Sequence, residues 1–328
     1  GSPVIGSFDF KARVDFIRIP GIIKLHNGEY TSLSLHIDLS ETLAIRESII
    51  RQTAKVYAPD LFIVDKEPLG LHGEVRNTLI DLKSRGVRTV LGLRDVLDDR
   101  ETLLEEWVQK QVFPNIDTLY DEIWIYGVET FFQPLRDLPL EPGVADKTVY
   151  TGYLKRLPES ISVEEEIHAS PYLLVTPGGG RDGRDLVDLV ISTYARYPDL
   201  PYHATIVLGP FMHADDRAYF HRRAEGMSNI SLLDFHPRME SLILGAAGMI
   251  TMGGYNTFCE VLSFDKRAVI VPRTVPRLEQ FIRASRAEDL GLVRMLEESR
   301  DGLTAQSMIA AIRSLPDQPL PSQAISEG

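Results

Sequence analysis

At roughly 150 residues per domain, a chain of 328 residues suggests about two domains, enough to bury about three quarters of the unfolded surface. Hydrophobic residues make up 44% and charged residues 25%, an ordinary globular mix that excludes a disordered or fibrous chain. Forty-seven acids against 35 bases leave −12 at pH 7, which argues against a broad polyphosphate-binding surface and so against nucleic acid as partner.

Short apolar runs alternate with helical patterns, the signature of parallel α/β architecture. Residues 1–10 have neither a basic start nor a long apolar stretch, so no signal peptide is expected. Residues 14–19 read as a strand. Ser40 then precedes an amphipathic helix bearing Leu43, Ile45, Ile49, Ile50 and Ala54, with Pro59-Asp60 at its end. A buried strand over 61–64 follows, then a helix over 74–84 closed by Gly86, and a strand over 89–93. A long helical region runs from Arg100, then come a strand over 122–126 and a last short strand ending near Tyr150. Gly1-Ser2-Pro3 reads either as a cloning scar or as the turn after a strand that is not present. In the second case this first doubly wound domain lacks its N-terminal strand and helix.

The first domain is expected over 1–155. A linker over 156–170 holds Pro158 and the acidic run 164–166, and a second α/β domain spans 171–315. Its strands are expected at 172–176, 203–208, 230–233, 249–251 and 268–271, with helices from about Asp185, over 239–247, over 257–263 and from about Glu279. Residues 316–328, with Pro316, Pro319 and Pro321, are expected to form a loose tail. The longest charge-free window, 241–259, is broken by Gly245, Gly248, Gly253 and Gly254 and does not read as a membrane span. The single cysteine, Cys259, permits no intrachain disulfide and no cysteine-based zinc site, and points to a reducing compartment. A soluble, cytoplasmic protein is expected.

Chemistry concentrates in Gly253-Gly254-Tyr255-Asn256-Thr257-Phe258-Cys259-Glu260, between a strand and a helix. Two glycines let the backbone approach a ligand, and the first amides of a helix carry partial positive charge, so the turn can cradle a phosphate. Glu260, three residues after Thr257, could accept hydrogen bonds from the vicinal hydroxyls of a ribose. Thr257-x-x-Glu260 equally fits a capping box that needs no ligand. After the next strand comes Pro272-Arg273-Thr274-Val275-Pro276-Arg277-Leu278-Glu279-Gln280, at the edge where open α/β sheets place ligands. Its two guanidinium groups suit phosphates and its Glu-Gln pair suits sugar hydroxyls, although such a loop is also ordinary solvated surface. Pro177-Gly178-Gly179-Gly180-Arg181-Asp182-Gly183 is a third strand-to-helix turn, distinct from the G-x-G-x-x-G dinucleotide pattern.

This ordered set, with Phe235-His236-Pro237-Arg238-Met239, resembles the C-terminal donor-binding domain of GT-B glycosyltransferases of family 28, over about residues 172–296. That family includes the enzyme that adds N-acetylglucosamine to the lipid-linked peptidoglycan precursor. The whole chain is similar to a bacterial group of predicted glycosyltransferases, a likeness also carried by residues 21–38 and by Asp65-Lys66-Glu67-Pro68-Leu69-Gly70. The resemblance implies two Rossmann-like domains facing a cleft and a nucleotide sugar, usually a uridine diphosphate sugar, as donor. Glu260 would then bind the ribose, while Gly254, Asn256 and Thr257 beside Gly253 hold the diphosphate. Phe235, His236 and Met239 would line the base pocket, Glu279 and Gln280 would contact the transferred sugar, and Gly178, Gly179 and Gly180 would face the cleft. Members carry a glycine-rich turn with a histidine near the amino terminus; no such motif precedes Val14 here.

Transfer requires a base for the nucleophile and charge stabilisation for the departing diphosphate. The sequence has no Asp-x-Asp pair, and its eight histidines show no metal-ligand spacing, so no metal or other cofactor is expected. Helix amides with Arg273 and Arg277 would take the metal's place. Asp65 and Glu67 after one strand and Asp95 after the next are candidate bases, with His72 behind them; acids at such positions also cap helices. Cys259, Trp107 and Trp124 read as packing, and the stretch between His26 and His36 as a polar loop that could meet an acceptor. The sequence thus points to an inverting, metal-independent glycosyltransferase, inversion being implied by the resemblance alone. Its alternatives are a UDP-sugar 2-epimerase on the same fold and a non-catalytic nucleotide-sugar-binding protein. Peripheral membrane contact, the acceptor and the oligomeric state are left open.

Overall fold

The structure, a computed structural model, describes residues 13–24, 30–33, 35, 37–156 and 171–325. The chain divides into two compact units, Gly1–Glu129 with Gln133–Gly152, and Thr130–Phe132 with Tyr153–Gly328.

The first unit carries a short antiparallel pair, β1 (Ile22–Lys24) and β2 (Tyr30–Ser32). The strand expected over 14–19 is not formed: no described strand lies beside it, and Val14 and Ile17 face solvent. An apolar run acquires strand geometry only with a ladder partner. Helix α1 (Leu39–Tyr57) begins at Asp38 rather than Ser40, because the Asp38 amide donates to Glu41 Oε2 at 3.3 Å, the return half of a capping box. Four parallel strands follow in the order β3 (Leu61–Asp65), β4 (Arg88–Arg94), β5 (Glu122–Tyr126) and β6 (Thr148–Tyr150). Between them run α2 (Arg76–Ser84), α3 (Arg100–Gln109), α4 (Phe113–Leu119) and α5 (Pro142–Asp146). Leu79, Leu91, Leu93, Ile116, Ile123 and Ile125 form the centre of the core.

Helix α2 starts two residues later than expected because Glu74 is used otherwise. Its buried carboxylate pairs with Arg46 of α1 at 2.6 Å and accepts from the His72 amide at 2.8 Å, tying α1 to the loop after β3. Gly70, at φ +80, sits where a Cβ would press on that carboxylate, which explains the glycine closing the Asp65–Gly70 motif.

In the second unit, β7 (Tyr172–Thr176), α6 (Arg184–Arg196), β8 (His203–Val207), α7 (Ala214–Ala224) and β9 (Ile230–Leu233) build one half of a sheet. The other half comprises α8 (Met239–Gly245), β10 (Gly248–Thr251), α9 (Tyr255–Ser263), β11 (Ala268–Ile270), α10 (Glu279–Asp289) and β12 (Arg294–Met295). All six strands are parallel, in the order β12-β11-β10-β7-β8-β9. The order in which strands are added therefore reverses between β7 and β10, the topological switch point at which open α/β sheets take ligands.

Helices α11 (Glu298–Asp301), α12 (Ala305–Ser314) and α13 (Pro321–Ile325) close the chain. As far as it is described, the tail expected to be loose is docked: Ala324 packs against the core, and the Ser322 amide and hydroxyl bond Asp265 at 2.8 and 2.7 Å. Its prolines shape a 3₁₀ turn and a helix start, both compatible with a fixed φ near −65°. Among the described residues no helix is long and apolar enough to cross a membrane.

Candidate functional site

The neighbouring strands β7, β10 and β11 each send a loop from their carboxyl ends, and these three loops meet around the start of α9. After β10 the backbone turns through Gly253 at φ +74, where a Cβ would come within 2.8 Å of Ile270 Cγ2; only glycine fits. The turn is held from below by Arg283 of α10, whose wholly buried guanidinium donates to the Gly253 carbonyl at 3.1 Å and lies 5.7 Å from the Tyr255 ring centre.

Gly254 is the N-cap of α9, and no side chain caps the helix. Its carbonyl receives the Phe258 amide at 2.8 Å, whereas the amides of Gly254, Asn256 and Thr257 donate to no described residue. Because α9 begins at Tyr255, earlier than the expected 257, Thr257 stands third in the helix and Glu260 sixth. The capping box is not formed, and the alternative explanation of Thr257-x-x-Glu260 falls with it.

Glu260 is half-buried and accepts no side-chain hydrogen bond from a described residue. Burial pushes its carboxyl up to about 7; Glu240 at the start of α8 adds to the shift, and Arg156 opposes it. The start of α8 is thereby placed near Glu260.

The turn after β7 lies against this helix start. A Cβ on Gly178, at φ +75, would stand 3.5 Å from Thr257 Oγ1, and the Gly178 amide is held by Thr176 Oγ1 at 3.1 Å. Gly179 accepts from the Phe211 amide at 2.8 Å, and a Cβ on Gly180 would overlap the Leu208 carbonyl. Packing of this turn against the one after β8 accounts for Gly180; Gly178 is the glycine that faces α9.

In the loop after β11, Arg273 is not a free cation. It pairs with Glu279 Oε1 at 2.6 Å and with Asp182 Oδ2 at 3.3 Å, and its amide donates to Gln280 Oε1 at 3.2 Å. Two carboxylates lie within reach of one guanidinium, which explains why it is engaged. Glu279 Oε2 and Arg273 Nε are buried without partners, and Gln280 Nε2 lies 3.9 Å from a Cβ placed on Gly254. Arg277 is half-buried further along the loop. Phe235 and His236 leave β9 at the far edge of the sheet, both half-buried; His236 Nδ1 is buried without a partner, and Met239 packs against the core beneath α8.

In the first unit, Asp65 ends β3 exposed to solvent, and together with burial it holds the Tyr126 hydroxyl above the usual phenol range. Glu67 is engaged by Lys110 at 2.6 Å. Asp95 is 1% exposed and accepts from the Val96 amide at 2.7 Å. His72 is exposed, edge-on to Tyr30 at 4.8 Å. His26 and His36 lie outside the described residues. Among the described residues no cluster of His, Cys, Asp and Glu is arranged to hold a metal.

Sequence reasoning missed Arg283 and Asp182. A signal for Arg283 existed, since Gln280, Arg283, Ala284 and Ala287 repeat at helical spacing and form the buried face of α10. An arginine on that stripe is unusual enough to mark a special partner.

No curated protein sequence matches the chain. Among solved structures, the glycosyltransferase of kitacinnamycin superposes with a TM-score of 0.60 at 14% identity, over 90% of this chain and 78% of that one. A UDP-N-acetylglucosamine 2-epimerase gives 0.57 at 12% identity over 90% and 74%, and the S. aureus MnaA–UDP complex 0.55 at 15% over 86% and 73%. These likenesses are of fold: Rossmann-like α/β units of the GT-B kind. Residues 172–326 match the glycosyltransferase family 28 C-terminal domain. The β7-to-α13 unit, with its switch-point turn at Gly253, is therefore the part of the chain that matches the family 28 glycosyltransferase C-terminal domain.

Proposed function

We propose that the protein is a cytoplasmic glycosyltransferase that takes a uridine diphosphate sugar as donor and transfers the sugar with inversion and without a metal. The observation that carries this is the start of α9: uncommitted amides of Gly254, Asn256 and Thr257 at the switch point, with the unpartnered Glu260 carboxylate further along the same helix. Helix amides bind a diphosphate through their partial charge, and the same charge stabilises it as a leaving group. Glu260 accepts the ribose hydroxyls, the loop from Phe235 to Met239 receives the base, and Glu279 and Gln280 meet the sugar. Arg273 and Arg277 add positive charge beside the diphosphate.

In the reaction the anomeric carbon–oxygen bond to the diphosphate breaks as an acceptor oxygen attacks from the opposite face. The acceptor's proton passes to a carboxylate, for which Asp65 is the most available of the three acids: it is exposed, whereas Glu67 is paired with Lys110 and Asp95 is buried. Titration calorimetry with UDP tests the donor site; Glu260→Ala is expected to weaken binding by roughly 1–3 kcal/mol, the cost of stranding polar groups. Unchanged affinity would remove Glu260 from the site. Activity that disappears with chelator and returns with magnesium would overturn the metal-free scheme.

A second reading, a UDP-sugar 2-epimerase, is favoured by the superposition on a UDP-N-acetylglucosamine 2-epimerase at a TM-score of 0.57. Incubation with UDP-N-acetylglucosamine and no acceptor separates the two, since only the epimerase converts the donor to its epimer.

A further inference from the structure

Strands β11 and β7 flank β10 on opposite sides, so anything joining their loops passes over the start of α9. One side-chain chain does this. From the α9 side, Gln280 Nε2 stands 3.9 Å from a Cβ on Gly254, Gln280 Oε1 receives the Arg273 amide at 3.2 Å, and Arg273 reaches Asp182 Oδ2 at 3.3 Å. Asp182 belongs to the glycine-rich turn, whose Gly178 abuts Thr257. Both ends of this chain of contacts thus meet the start of α9, at Gly254 and at Thr257.

The two carboxylates that share Arg273 differ. Glu279 is 17% exposed and holds it at 2.6 Å, whereas Asp182 is 46% exposed at the longer 3.3 Å. The Glu279 contact anchors the guanidinium, and the Asp182 contact is the one that can be exchanged. An exposed ion pair of this kind is worth little, and a second anion of higher charge displaces it readily.

We propose that Asp182 is a stand-in anion: it occupies Arg273 while the donor site is empty and yields it to the diphosphate, so that binding opens the strap between the glycine-rich turn and the β11 loop. Asp182 is thus a positioning residue acting through Arg273, and the inference rests on the donor-site reading above. The exchange is an ion-pair replacement in which no covalent bond changes. Asp182 also repels the incoming diphosphate, so the aspartate lowers donor affinity while keeping the empty loop in place.

The test is calorimetry with UDP on the full chain and on Asp182→Asn, Asp182→Glu and Arg273→Gln, alone and combined. Asp182→Asn is expected to bind UDP about 3- to 10-fold more tightly, from loss of an exposed pair and of a like charge beside the ligand. Asp182→Glu, which keeps the carboxylate, is expected to return to the parent affinity. In the Arg273→Gln background the gain from Asp182→Asn is expected to shrink to the small part owed to direct repulsion. Melting temperatures of the variants check that each is folded. Equal or weaker binding by folded Asp182→Asn, with the unaltered protein binding UDP, overturns this inference and leaves the donor site standing. No binding by the unaltered protein overturns the donor site and the inference together.

Discussion

The Arg283 guanidinium, with none of its surface exposed, donates a 3.1 Å hydrogen bond to the carbonyl of Gly253, the residue that turns the chain into α9. A charge buried here fixes the conformation of a left-handed glycine whose amide neighbours are offered to a ligand. Arg283→Met is expected to lower stability by about 1–3 kcal/mol by stranding the carbonyl, and to weaken UDP binding beyond that of a surface control. Gly253→Ala is expected to act through the same turn, at about 1–3 kcal/mol for the strained φ, with further loss from the clash with Ile270. Urea denaturation and UDP titration on the same samples measure both.

Glu74 gives the first unit an acid-sensitive anchor. Burial works against its charge, but the His72 amide and the Arg46 guanidinium outweigh burial and hold the carboxyl below the usual carboxylate range. A depressed carboxyl contributes stability above its unfolded value and loses it as pH falls through the folded value. Its contribution is therefore complete at neutral pH and is lost below about 4.5. Glu74→Gln is expected to destabilise the protein at pH 7 by about 3–5 kcal/mol, because Arg46, 13% exposed, is left without its countercharge. The difference from the unaltered protein is expected to narrow towards pH 3, which thermal melts across pH would record.

Most of the alternation was legible because buried parallel strands are short apolar runs: β5, β7 and β9 fall at the expected residues. Helix α7 was missed since Phe220 is its only buried residue, leaving too faint a stripe to register. The docked tail was misread because its prolines signal loops by composition, while its anchoring depends on the distant Asp265. At the site, the glycines and acids could be found because turns demand particular residue types. Pairings such as Arg273 with Asp182, or Arg46 with Glu74, join residues far apart in sequence, and no local pattern announces them.

Asp65, Glu67 and Asp95 were equivalent as sequence but differ in surroundings. Glu67 is occupied by Lys110, and Asp95 is buried and bonded to the next amide, whereas Asp65 faces solvent at the end of β3. Asp65→Asn is expected to lower turnover by about 10²- to 10⁴-fold, the usual contribution of a general base, with UDP affinity unchanged. Glu67→Gln is expected to leave turnover within a few fold. A loss of the same size in Glu67→Gln or Asp95→Asn, with Asp65→Asn active, would transfer the role.

Glu260 behaves oppositely to Glu74. Burial raises its carboxyl to about 7, so between about 4.5 and about 7 the folded protein keeps a proton that the unfolded chain has released. Stability from this group therefore falls as pH rises through that window and is level above it. Glu260→Gln is expected to remove the slope, leaving the variant more stable at pH 8 by up to about 3 kcal/mol and little changed at pH 4. Ligand binding runs the other way. Ribose hydroxyls donate, and an ionised carboxylate is the stronger acceptor, so UDP affinity is expected to rise from pH 6 to pH 8. In Glu260→Gln the affinity is expected to be lower and nearly independent of pH. Parallel pH profiles in the two proteins would exclude Glu260 as the ribose acceptor, whereas a flat profile in the variant alone would identify the buried carboxylate as the group that trades folding stability for donor binding.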